Sequence, residues 1–143
     1  MPYRYLPDIA TADVAFEATA DTLEELFQSA ADATMNVMVG DLATIARPEL
    51  RIIRVRDSEV DMLLFQLLQE LIFFKDAEKL LLRIGDVEIR RSEEGYELTA
   101  EARGEELDPA RHDLVVDVKA VTLHRFRVEH TGMGWAALVI LDI

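Results

Sequence analysis

The sequence predicts an α+β fold: a two-layer, largely antiparallel sheet with two helices and an inserted strand-helix-strand-strand segment. Three observations carry that expectation. Two stretches space apolar residues three and four positions apart, several others alternate apolar with polar residues, and the two periods succeed one another along the chain. With 143 residues, 50% of them apolar, one core of ordinary depth is expected. Residues 1–143 therefore read as a single domain, with about 50–104 as the insertion.

Tyr3 to Pro7 reads as a short strand and Asp8 to Ala12 as a turn. A second strand begins at about Asp13, with Val14, Phe16 and Ala18 on one face. Thr22 and Glu25 have capping-box spacing, in which a hydroxyl and a carboxylate satisfy the free amides of a helix start. Leu23, Leu26, Phe27, Ala30, Thr34, Val37 and Met38 then form a helical stripe, and Gly40 is the expected positive-φ stop. Leu50 to Arg56 reads as a strand. Ser58 and Asp61 repeat the start spacing ahead of Leu63, Leu64, Leu67, Leu68, Leu71 and Ile72. Met62, Phe65, Phe73 and Phe74 widen that stripe, which predicts a helix covered on two sides or docked on a partner.

From residue 80 the period is two. Leu80, Leu82 and Ile84 share one parity and Val87 and Ile89 the other, so a bulge is expected at Gly85-Asp86. Ser92 to Gly95 is a turn into a hairpin partner whose Leu98, Ala100 and Ala102 face inward and whose Glu97, Thr99 and Glu101 face water. A polar loop covers Gly104 to Asp113. Leu114 to His130 alternates for longer than one strand usually runs, so a bend near Val121 or Thr122, or a second strand, is expected. Trp135 to Leu141 is apolar on both parities, the mark of a strand buried on both faces. The sum is two helices and seven or eight strands.

A net charge of −13 argues against a surface that wraps nucleic acid, whose affinity comes from cationic side chains. No direct nucleic-acid binding is expected. The opening residues lack the apolar region of an export signal, and no apolar run is long enough to cross a bilayer. Without cysteine there is no disulfide, no thiolate nucleophile and no Cys-type zinc site, which suits a reducing cytoplasm. Nucleophile-elbow, P-loop and dinucleotide-binding motifs are all missing, and His112, His124 and His130 lack the paired spacing of a zincin helix.

Asp142 is the residue whose placement most needs explaining. It follows an unbroken apolar run, shares parity with Leu138 and Ile140, and is followed by the main-chain carboxylate of Ile143. Like charges this close disfavour joint ionisation unless a cation lies between them. Two readings stand: a frayed, solvated end, or oxygen donors for a hard metal. Asp13 likewise reads as a turn residue or as a third donor. An all-oxygen set suits calcium, magnesium or manganese rather than zinc. Lys119, with Asp117 on the same parity, reads as half of a surface ion pair or as part of a partner-facing patch.

Several segments together resemble the archease family: Leu6-Pro7-Asp8-Ile9-Ala10-Thr11-Ala12-Asp13-Val14-Ala15-Phe16, Thr22-Leu23-Glu24-Glu25-Leu26-Phe27, His112, Val118-Lys119-Ala120-Val121-Thr122-Leu123-His124 and Leu141-Asp142-Ile143. They span nearly the whole chain in order. The apolar run Leu63 to Phe74 followed by Asp76-Ala77-Glu78 fits the same pattern. The resemblance implies a non-catalytic activator of the RtcB-type RNA ligase of tRNA splicing, which promotes guanylylation of the ligase and its multiple turnover. It also implies a divalent metal, calcium in crystals, held by Asp13, Asp142 and Ile143. Lys119 and His112 are carried over as partner-binding residues. One departure is Ala10, which stands where many archeases have a histidine, so no histidine-dependent step is carried over. The rival readings are a metal-dependent phosphohydrolase using Asp13 and Asp142, and a chaperone-like module docking through Met62 to Phe74.

Overall fold

The computed structural model describes residues 2–8 and 13–143. Its strands are β1 (Tyr3–Tyr5), β2 (Val14–Ala20), β3 (Glu49–Asp57), β4 (Leu80–Ser92), β5 (Gly95–Glu106), β6 (Ala120–Thr131) and β7 (Gly134–Asp142). The helices are α1 (Leu23–Met38) and α2 (Val60–Glu78). The fold is α+β and antiparallel, as expected, but the strands divide into two sheets. One has the order β1-β2-β7-β6 and the other β3-β5-β4. The inserted segment thus closes its own three-stranded sheet around α2. Of the turn expected over Asp8 to Ala12, residues 9–12 lie outside the described residues.

The helices tie the sheets together. α1 packs on β1, β2 and β7 of the first sheet and also on β4, while α2 packs on β3, β4 and β5 of the second and also on β6. This explains the wide apolar stripe of α2. Leu63, Leu64, Leu67, Leu68, Leu71 and Ile72 are buried, and Phe65 meets Phe126 of β6 edge-to-face at 5.7 Å. Each buried leucine contributes about 1.5–3 kcal/mol relative to an exposed one. Phe73 alone of that stripe's aromatic residues stays largely exposed, at 56%.

Local chemistry sets the helix ends. Thr22 caps α1 by accepting the Glu25 amide at 3.2 Å. The α1 stop differs from expectation. The helix ends at Val39 in extended backbone, and Gly40 is not in the left-handed region. At Gly40 the chain passes close to the 112–115 segment: its amide donates to the Asp113 carbonyl at 2.8 Å, and a Cβ would require the exposed Asp113 carboxylate to shift aside. The start of α2 also differs. Its N-cap is Glu59, which makes no side-chain cap bond; the Glu59 amide instead donates to Asp57 Oδ1 at 3.0 Å.

The expected bulge between Ile84 and Val87 is present, and α1 covers that edge as Gln28 Nε2 donates to the Gly85 carbonyl at 2.6 Å. β5 alternates as expected, with Leu98, Ala100 and Ala102 buried. It continues past Gly104, whose missing Cβ lets the β4 backbone at Leu81 approach. The Leu114–His130 stretch breaks into an irregular segment and β6. Within β6, the register passes from Thr122↔Ile140 to Arg127↔Leu138, five steps on one strand against two on the other. Three extra residues, an odd number, flip the side-chain parity. Val121 is therefore buried on one side of the irregularity, while Phe126 and Val128 pack inward on the other.

Candidate functional site

The site is the end of β7. This strand is central in its sheet, and Ala137, Leu138, Val139, Ile140 and Leu141 are all buried. Such a strand cannot slip or fray without exposing two apolar faces, so its final residue is held. Asp142 lies opposite Ala120 of β6, and its carbonyl accepts the Lys119 amide at 2.8 Å. Ile143 is half-buried and packs against the main core. The solvated, frayed end is therefore not the arrangement the chain adopts.

Asp13 comes to the same place through β2. The register pairs Val14 with Leu141, so Asp13, which precedes β2 by one residue, and Asp142, which follows Leu141, lie at the same end of the sheet. Both aspartates are half-buried, and neither forms an ion pair with a Lys, Arg or His among the described residues. Among the described residues, no three His, Cys, Asp or Glu side chains form a metal-holding group. The two side chains brought to this end are carboxylates, hard oxygens of the kind that suits a divalent cation of the calcium or magnesium type.

Lys119 sits at this end as well. Its exposed side chain borders a shallow hollow of about 460 Å³ with Gln69, Ile72, Phe73, Asp76 and Ala77. The expected pairing with Asp117 does not form. Asp117 is taken by Lys75 of α2, and Lys119 has no ion pair among the described residues. Lys75 is a residue that the sequence reading missed. Its signal was present, since position 75 continues the Leu64, Leu68, Leu71 stripe, where a charged residue must find partners.

His112 lies elsewhere, in the interior, with its side chain fully buried, and so is closed to a partner in this arrangement. Its Nδ1 accepts the Asp108 amide at 2.9 Å, which leaves the Nε2 hydrogen facing Glu105 Oε2 at 2.9 Å. Glu105 also accepts from the Ala46 amide at 2.7 Å and from Arg111 at 2.6 Å. The Ala46 amide, then His112 and Arg111, hold this carboxyl below the usual range. The cluster fastens the loop after β5 to the segment after α1. Its members fell in what read as a polar loop, and only the fold shows them converging.

Comparisons with known proteins agree along the chain. Residues 3–143 match the family described as Archease protein family (MTH1598/TM1083). The protein archease of Pyrococcus abyssi is 37% identical over 134 residues, covering 93% of this chain and 94% of that one. The protein archease of Methanosarcina acetivorans is 34% identical over 142 residues, covering 99% and 95%. The solution structure of Methanobacterium thermoautotrophicum protein 1598 superposes with a TM-score of 0.85 at 33% identity, covering 99% of both chains. A crystal structure from Thermotoga maritima, an archease described as a possible chaperone, shares the fold with a TM-score of 0.65 at 20% identity over 94% of this chain and 93% of that one. The chain belongs to the archease family.

Proposed function

We propose that this protein is a non-catalytic activator of an RtcB-type RNA-splicing ligase, promoting guanylylation of the ligase and its repeated turnover in the cytoplasm. Family membership over nearly the full chain supports this. The observation that carries it to particular residues is the meeting of the β2 start and the β7 end, which brings Asp13 and Asp142 to one sheet end beside Ile143 and Lys119. Asp13, Asp142 and the Ile143 carboxylate would hold a divalent metal: calcium in a crystal, magnesium or manganese as alternatives. When bound, such an ion would offset most of the charge of three crowded carboxylates at a rigid strand end. The chain's own residues supply position. β7 fixes Asp142, β2 fixes Asp13, and Lys119 places a cation beside them for a partner. An acidic surface favours approach to a basic partner without competing for its RNA. Phe73 of α2 is exposed and lines the same hollow as Lys119, which also suits contact with a protein.

A multiple-turnover ligation assay with the cognate ligase, GTP and RNA ends tests this reading. Adding the protein should raise the number of turnovers per ligase; an unchanged rate sinks the proposal. Incubation with metal and phosphoesters alone separates the phosphohydrolase reading, because two aspartates without a base to orient water should give no turnover.

A further inference from the structure

We infer that Lys75 of α2 is a positioning residue for the Asp142-Ile143 end of β7. Its side chain is 5% exposed and its ammonium is engaged: it donates to the Val118 carbonyl at 2.8 Å and to the Asp117 carboxylate, and it lies 2.9 Å from Asp76 Oδ1 as an ion pair. Two of the three donors of the lysine thus have acceptors, and two carboxylates flank its charge. Such a buried charge is retained at a cost in desolvation, so its partners locate it and it locates them.

What Lys75 locates is the segment leading into β6. Val115 is tied to α1 through the Met38 carbonyl at 2.9 Å. Among the described residues, the backbone from Val116 to Val118 has no other hydrogen bond than the one from Lys75. The next amide, that of Lys119, donates to the Asp142 carbonyl, and Ala120 lies opposite Asp142. One turn and a half earlier on α2, Gln69 accepts the Val121 amide at 3.0 Å. α2 therefore grips the chain on both sides of Lys119-Ala120, the two residues that pair with Asp142. Lys75 touches no donor oxygen itself. It acts through the segment, setting where the Asp142 main chain and the Lys119 side chain sit relative to Asp13.

The metal part of this inference rests on the reading in the preceding subsection; the positioning part does not. Two measurements on the full-length protein keep them separate. The first is hydrogen exchange at the Lys119 amide in wild type, Lys75→Met and Gln69→Leu. The second is calcium or manganese affinity by calorimetry for the same proteins. Val55→Ala on β3, a strand that pairs only with β5, serves as a destabilised control. Lys75→Met keeps the aliphatic stem and loses the ammonium. It should speed Lys119 exchange at least tenfold and weaken metal affinity by about tenfold or more, the usual effect of losing a supporting contact. Val55→Ala should leave both unchanged. Unchanged Lys119 exchange in Lys75→Met overturns the inference, as does equal metal affinity when the wild type binds. If Lys75→Met does not fold, Gln69→Leu decides by the same two readouts. Absence of metal binding in the wild type rejects the metal reading and leaves the exchange result to decide positioning.

Discussion

β7 and β5 are both the middle strand of an antiparallel sheet, yet they are buried differently. Every residue of β7 from Ala137 to Leu141 is buried, with Ala137, Val139 and Leu141 in the main core and Leu138 and Ile140 on the opposite face near Ala15. β5 buries Leu98, Ala100 and Ala102 and leaves Glu97, Thr99 and Arg103 in water. A strand fixed on both faces makes a rigid mount for charged groups at its end. A strand fixed on one face builds the core and leaves the other face free to vary. In this fold the charged end belongs to the first kind of strand.

The sharpest break in that contrast is Gly104, where β5 is as intolerant as β7. Its Cβ would overlap the Leu81 carbonyl, so Gly104→Val forces the β4 backbone away and should cost more than about 4 kcal/mol, read as loss of a cooperative thermal transition. Next is the second face of β7. Ile140→Ala removes a buried side chain and should cost about 2–5 kcal/mol by denaturant unfolding.

Acid offers a test outside both strands' apolar faces. The Glu105 carboxyl is held below its usual range by the Ala46 amide first, then by His112 and Arg111. Its stabilising effect is therefore fully present above the unfolded value of about 4.3 and is lost as pH falls through the lower folded value. Glu105→Gln should lose less stability between pH 6 and pH 3 than the wild type does, measured by denaturant midpoints. Removing Ile143 should cost only about 1 kcal/mol or less, because the side chain is half-buried, while calcium or manganese affinity falls at least tenfold. Thr99→Ala on the wet face of β5 should change stability by no more than about 0.5 kcal/mol.

Much of this was legible in the sequence because the deciding forces were local. The period of two in β5 and the doubly apolar β7 state their own burial, and the parity change from Ile84 to Val87 announces its bulge. What stayed hidden depended on residues far apart in the chain. Gly40 looked like a helix stop, but its role depends on Asp113 passing alongside. Asp117 looked like a partner for Lys119, whereas Lys75, forty-two positions away, claims it. The parity of β6 could not be followed through Thr122 to Arg127, since three extra residues there reset it against β7. Asp13 and Asp142 were each visible as oddly placed charges, and it took the β2-β7 register to bring them to one end of the sheet.

The central claim is that the end of β7 acts on a partner rather than only closing the fold. The direct test is multiple-turnover RNA ligation by the cognate ligase with GTP, comparing wild type, Asp142→Asn and Thr99→Ala at equal folded concentration. The account predicts that Thr99→Ala stimulates like wild type and that Asp142→Asn loses at least about tenfold of the stimulation, as expected when a ligand oxygen is removed from a supporting site. Full stimulation by Asp142→Asn would contradict it and return the strand end to a structural role.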